Sequence, residues 1–168
     1  MFAEMRKRAK ILIVDDQAAN VSLLKRFLER EGYTNVRSTL DSRQTLALYA
    51  DLAPDLILLD LLMPHMDGFA VLEQLRPVIP ADTYLPILVL TADITVEAKQ
   101  RALANGAKDF LTKPLDLVEV LLRIKNLLEA RFLHLQLQNQ NQLLEAQVRE
   151  RTAELTRANA ELRTEIAE

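Results

Sequence analysis

Asp15, Asp16 and Asp60 each stand directly behind an apolar run: Ile11-Leu12-Ile13-Val14 precedes the first two, and Leu56-Ile57-Leu58-Leu59 precedes the third. Thr91 closes Ile87-Leu88-Val89-Leu90, and Lys113 follows Phe110-Leu111-Thr112. Carboxylates drawn together repel one another unless a cation joins them. A donor set of oxygens, without histidine or cysteine, suits a hard ion, magnesium above all. Magnesium keeps several waters and prefers one or two carboxylates plus phosphate oxygens. The Lys113 ammonium is a compact charge for one phosphoryl oxygen, and the Thr91 hydroxyl can donate to another. Asp60 is then the nucleophile, a carboxylate able to become an acyl phosphate. Taken singly, each residue has an ordinary explanation: Asp15-Asp16 and Thr91 as helix caps, Asp60 as a turn residue, Lys113 as a solvated surface charge. Their joint occurrence behind four separate apolar runs is what argues for a site.

The elements that must position these groups follow from periodicity. Residues 11–14, 56–59 and 87–90 are continuous apolar runs, as expected of strands buried on both faces. Asn35 to Leu40 is a shorter, more polar strand suited to an edge, and Lys108 to Thr112 is a last short strand. Between them, helical spacing predicts helices over 18–31, closed by Gly32, then 42–52, 68–75 with Asp67 as N-cap, and 95–105, closed by Gly106. Five strands alternating with helices predict a doubly wound parallel sheet of the α/β class. Right-handed crossovers leave few topologies; in a parallel sheet all strand carboxyl ends lie on one edge, and ligands bind there where the strand order reverses.

Composition narrows the function. Net charge is −3, with 21 Lys and Arg against 24 Asp and Glu, so no positive field favours direct nucleic-acid binding. Cysteine is absent, which excludes disulfides, thiol catalysis and cysteine-bound zinc and fits a cytoplasmic location. The basic start, Arg6 to Lys10, is followed by too few apolar residues for a signal peptide, and no run is long enough to span a membrane.

The stretches Ile11-Leu-Ile-Val-Asp-Asp16, Leu58-Leu-Asp-Leu-Leu-Met-Pro-His-Met-Asp-Gly68, Leu90-Thr-Ala92 and Asp109-Phe-Leu-Thr-Lys-Pro114 agree in order and spacing with one family. Over about residues 8–128 the chain resembles the receiver domain of bacterial two-component response regulators. The resemblance implies a flavodoxin-like sheet of order 2-1-3-4-5. It implies that Asp60 accepts a phosphoryl group from a sensor histidine kinase, and that Asp16 and Asp60 ligate Mg2+ with the Leu62 backbone carbonyl, Asp15 acting through water. Thr91 and Lys113 hold the phosphoryl oxygens, Phe110 is the aromatic that repacks when the threonine moves, and the Lys113-Pro114 bond is cis. Such a protein is no enzyme beyond its own phosphorylation and dephosphorylation. Leu62 and Ala92 are apolar and cannot orient an attacking water, which points to slow spontaneous dephosphorylation; Asp93 is the residue that could reverse this. His65 is expected to be a solvent-facing loop residue.

After Pro114 the remaining 54 residues contain neither glycine nor proline and are rich in Leu, Glu, Gln, Ala and Arg. A continuous helix of that length measures roughly 80 Å. Leu117, Leu121, Ile124 and Leu128 are expected to pack it on the sheet. Beyond them Leu137, Asn141, Leu144, Val148, Leu155, Ala158 and Leu162 follow steps of four and three, the seam of a coiled coil, with Arg151 and Glu165 as polar breaks. Asn141 within the seam favours two strands in register. The expected organisation is a receiver over 1–128 and a homodimeric coiled-coil helix over 129–168, whose pairing the phosphoryl group switches, signalling to an output module or partner outside this chain. Alternatively, the chain is the receiver and linker of a larger cyclic-di-GMP enzyme or hybrid kinase. A haloacid dehalogenase-like phosphohydrolase is more remote, because its nucleophile belongs in an Asp-x-Asp motif on the first strand. A structural coiled-coil scaffold with an inert receiver is the remaining rival.

Overall fold

The computed structural model describes residues 1–92 and 95–167. Strands β1 (Lys10–Val14), β2 (Asn35–Thr39), β3 (Leu56–Leu59), β4 (Ile87–Thr91) and β5 (Asp109–Thr112) form one parallel sheet in the order β2-β1-β3-β4-β5. The three central strands are the continuous apolar runs: Ile11 to Val14, Leu56 to Leu59 and Ile87 to Leu90 are all buried. Helices on both faces account for this, since neither side of those strands meets water. At the edge, β2 alternates between exposed and half-buried positions and ends on the buried Thr39, as its polar sequence requires.

Helices α2 (Ala18–Arg30), α3 (Thr45–Leu52), α4 (Gly68–Leu75) and α5 (Val96–Ala104) are the crossovers. Gly32, Asp67 and Gly106 punctuate them as expected, whereas Thr95, read from the sequence as the first helical residue, is the N-cap of α5. Gly32 and Gly106 have φ of 96° and 107°, a left-handed backbone that glycine adopts without strain and that ends α2 and α5. Asp67 caps α4 by accepting a hydrogen bond from the Ala70 amide at 2.9 Å, and Thr95 caps α5 at Ala98. Residues 42–44 form a 3-10 turn before α3 rather than its first turn, with Asp41 accepting from the Arg43 amide.

Two features were not anticipated. A short helix, α1 (Phe2–Arg8), precedes β1. Its Arg6 donates to the Glu31 carbonyl at 2.8 Å, and the Lys125 ammonium lies 4.4 Å from the centre of the Phe2 ring. The second feature is the packing stripe of α6 (Leu117–Ala167). Its buried residues are Val120, Ile124 and Leu128, while Leu117 and Leu121 are only half-buried. Val120 therefore begins the buried stripe in place of the expected Leu117 and Leu121, while Ile124 and Leu128 pack as expected.

The chain divides into two units, residues 1–131 and 132–168. In the second, residues 132–167 are helical, and from residue 139 onward every described side chain is exposed.

Candidate functional site

Because the strands are parallel, β1, β3, β4 and β5 all deliver their carboxyl ends to one edge. Backbone hydrogen bonds extend the sheet one residue further and fix the site residues there. The Asp15 amide donates to Thr39 O at 3.3 Å, the Asp60 amide to Val14 O at 3.0 Å, and the Lys113 amide to Thr91 O at 2.8 Å. The site residues are thus placed by the sheet itself rather than by flexible loops.

Asp15, Asp16 and Asp60 each bring a carboxylate oxygen within 4.8 Å of the others. Asp15 and Asp60 are buried, and Asp16 is half-buried. The Lys113 ammonium joins them, donating to Asp15 Oδ2 at 2.9 Å and to Asp60 Oδ2 at 3.1 Å. Asp60 Oδ1 accepts from the Leu62 amide at 3.2 Å. Three carboxylates thus face one ammonium. Burial pushes the Asp60 pKa above the ordinary carboxylate value; the Leu62 amide and Lys113 oppose this, and the neighbouring Asp15 charge adds to it. For Lys113, burial favours the neutral amine, but hydrogen bonds to Asp15 and Asp60 outweigh it and raise the pKa.

The Asp16 carboxylate tests whether these residues suit a cation. Its Oδ1 is buried without a hydrogen-bond partner. A buried carboxylate oxygen left unpaired is costly, and a hard cation among three carboxylates is the partner its chemistry fits. Asp16 and Asp60, with Asp15 beside them, are the residues suited to hold it.

Thr91 ends β4 on this edge, 2% exposed and in register with Thr112. Phe110 lies in β5, half-buried against the core, with the Lys99 ammonium 4.6 Å from its ring centre. Leu62 is 55% exposed at the mouth of the site. The Lys113-Pro114 peptide is cis. His65 is exposed, with φ of 67°. Asp93 lies outside the described residues. The seam residues Leu137, Asn141, Leu144, Val148, Leu155 and Leu162 belong to the second unit, not to this site, and all are exposed.

The sequence did not disclose the residues that hold the site in place. The Gln17 amide donates to Asp15 Oδ1 at 2.9 Å, and Asn20 approaches Asp15 Oδ2 at 3.4 Å. Ser42, buried, donates to the Met66 carbonyl at 2.6 Å and ties down the loop that follows Asp60. Gly68 matters through contact: a Cβ there would fall against the Asp60 carbonyl oxygen and 2.7 Å from Leu61 Cα. Only the glycine carried a signal, as a small residue opening a helix.

Residues 11–125 match the response regulator receiver domain family. Among curated proteins, the chain is 42% identical over 119 residues to "Response regulator PleD" of Caulobacter vibrioides, covering 71% of this chain and 26% of that protein. It is 42% identical over 120 residues to the "DNA-binding dual master transcriptional regulator RpaA" of Synechocystis, covering 71% and 48%. The chain therefore spans between a quarter and a half of these relatives. Among solved structures, the chemotaxis protein CheY4 of Vibrio cholerae superposes with a TM-score of 0.66 at 32% identity, over 71% of this chain and 98% of that one. A CheY-like receiver domain from Methanospirillum hungatei gives 0.68 at 29% identity, over 73% and 95%.

Proposed function

The chain belongs to the response regulator receiver family, and from that premise we propose that Asp60 is the phosphoacceptor of a two-component phosphorelay. One observation carries the proposal: the Asp60 carboxylate, buried beside two further carboxylates, is already bonded to the Lys113 ammonium and the Leu62 amide. An Asp60 oxygen attacks the phosphorus of a phosphohistidine on a sensor kinase. A P–O bond forms, the P–N bond breaks, and the imidazole leaves with the electron pair and takes up a proton. Lys113 turns from the carboxylate oxygens to the incoming phosphoryl oxygens, and Thr91 donates its hydroxyl to another. Asp16 and Asp60 with the Leu62 carbonyl, and Asp15 through water, would hold a magnesium ion, which would neutralise charge on the phosphoryl oxygens. Position and charge are most of what such a transfer needs. The receiver itself turns over no separate substrate; it catalyses its own phosphorylation and dephosphorylation.

The added phosphate brings about two negative charges and strong acceptors. Thr91 moves toward it, Phe110 repacks, and the surface of α5, β5 and α6 changes. Both conformations pre-exist, and phosphorylation shifts their balance. Leu137, Asn141, Leu144, Val148, Leu155 and Leu162, between 49% and 65% exposed where apolar, form the seam of a parallel homodimeric coiled coil that reads the change. We take the receiver as residues 1–128, the coil as 129–168 and the location as cytoplasmic; no described helix is long and apolar enough to cross a membrane. The output lies in a partner or module joined to this coil. A second possibility is the receiver and linker of a larger cyclic-di-GMP enzyme or hybrid kinase; that the chain covers 26% and 48% of its relatives is compatible with a larger protein.

Acetyl phosphate with Mg2+ tests the chemistry. Intact mass should rise by one phosphoryl group in the native chain and not in Asp60→Asn; labelling that survives the substitution refutes the assignment. Light scattering of the chain with and without residues 130–168 tests the coil. The full chain should be a dimer and the shorter one a monomer, and two monomers would exclude the pairing.

A further inference from the structure

Strand β3 carries an aspartate at each end. Asp60 belongs to the site. Asp55, at the opposite end, is 8% exposed and has no part in the chemistry above. Its Oδ2 accepts from the Lys10 amide at 3.0 Å, and its own amide donates to Lys10 O at 2.7 Å, joining the starts of β3 and β1. Its Oδ1 accepts from Arg131 Nε at 3.3 Å, while Arg131 also donates to the Tyr84 carbonyl at 2.8 Å. The Arg131 and Asp55 side chains are each 12% exposed. One guanidinium on α6 therefore grips the start of β3 and the segment leading into β4.

A buried ion pair is a poor device for stability alone, since apolar side chains of similar size would hold a helix as well. A guanidinium adds direction: its planar fork meets fixed acceptors in only one rotation of the helix. The apolar stripe of Val120, Ile124 and Leu128 tolerates small sliding and rotation far better. A second polar tie on α6 lies two turns earlier, where Arg123 meets Asp109 at 2.7 Å. Asp109 begins β5 and adjoins Phe110, and Arg123 is 43% exposed. The two arginines are eight residues apart, roughly 12 Å along the helix. One tie thus sits beside the proposed switch, and the other sits at the fixed amino ends of the central strands. Arg131 is also the last residue of the first unit.

We propose that Arg131 is the fulcrum of the C-terminal helix: pinned to Asp55 and the Tyr84 carbonyl, it converts movement of β5 at Arg123 into rotation of the helix beyond residue 131. This rests on the phosphorylation switch proposed above. Arg131 is a positioning residue: its partner Asp55 lies about 17 Å along β3 from Asp60 at 3.3 Å per residue, and Arg131 takes no part in the transfer itself.

The test is amide hydrogen exchange on the full chain with Mg2+ and beryllofluoride, a phosphoryl mimic, alongside acetyl phosphate labelling. In the native chain the mimic should change exchange over residues 132–148 at least threefold. Arg131→Gln should label at Asp60 within twofold of the native rate and keep its β-strand protection, yet lose that response. Arg131→Lys, which keeps charge but not the fork, should not restore it. If Arg131→Gln fails to fold, the double substitution Asp55→Asn, Arg131→Gln, which leaves no charge buried alone, is read in the same way. A native response that persists in the folded variant overturns the fulcrum alone. A native chain that labels at Asp60 without any response overturns the switch and the fulcrum with it. A native chain that does not label overturns the phosphoacceptor assignment first.

Discussion

The two ends of β3 set the same residue type in similar burial and opposite electrical circumstances. At the amino end Asp55 meets one guanidinium and one backbone amide, and both carboxylate oxygens have partners. At the carboxyl end Asp60 shares one ammonium with Asp15, stands beside Asp16, and leaves Asp16 Oδ1 buried without a partner. Burial alone therefore does not make an aspartate reactive, for Asp55 and Asp60 are 8% and 5% exposed. What sets the two apart is the surplus of negative charge at the Asp60 end, the end for which a cation and a phosphoryl group are proposed.

The largest effect should come from neutralising each aspartate in turn. Asp55→Asn leaves Arg131 buried without its counter-charge and should destabilise the protein by about 3–5 kcal/mol, read as a lower urea midpoint. Asp60→Asn should do the reverse in metal-free buffer. A carboxyl whose folded pKa is raised contributes stability below its unfolded pKa and loses it as pH rises through the folded value. At pH 7 the Asp60 charge is thus a net cost, and its removal should raise the midpoint. That gain should shrink as the buffer is taken down through the folded pKa and vanish below about pH 4. Loss of stability in both variants would erase the contrast between the two ends.

A middle-sized effect is expected at Gly68, where a methyl group must displace the backbone of Asp60 and Leu61. Gly68→Ala should cost about 1–3 kcal/mol in denaturant unfolding and slow acetyl phosphate labelling. Unaltered labelling would mean that the Asp60 backbone can shift without disturbing the carboxylate. The smallest effect is that of magnesium itself. At ten times its dissociation constant it should stabilise the native chain by about 1.4 kcal/mol, and Asp16→Ala should abolish this in thermal melts. Stabilisation that survives Asp16→Ala would place the cation elsewhere.

Much of the fold is legible because burial on both faces leaves uninterrupted apolar runs, and because Gly32, Asp67 and Gly106 mark helix ends by local backbone chemistry. The residues gathered at the site are legible for a related reason: each follows a strand, and parallel strands end together. What escaped the sequence depends on distant partners. The α1 helix is short and polar, and it meets Glu31 and Lys125. Arg131 and Asp55 are 76 positions apart, and Ser42 and Met66 are 24 apart, with no periodic signal linking either pair. Val120 was missed because Leu117 and Leu121 offer an equally apolar stripe one face over. Lys113, assigned from sequence to a phosphoryl oxygen, is bonded here to the carboxylates of Asp15 and Asp60.

The Lys113 ammonium bridges to an aspartate 98 positions earlier in the chain. A polypeptide still emerging from the ribosome owns its acidic residues long before it owns their counter-ion, and no fragment short of residue 113 contains the whole constellation. The proposed phosphoryl-transfer site can therefore close only once Lys113 has been made, well after its three aspartates, so a fragment ending before that residue lacks the ammonium that meets them.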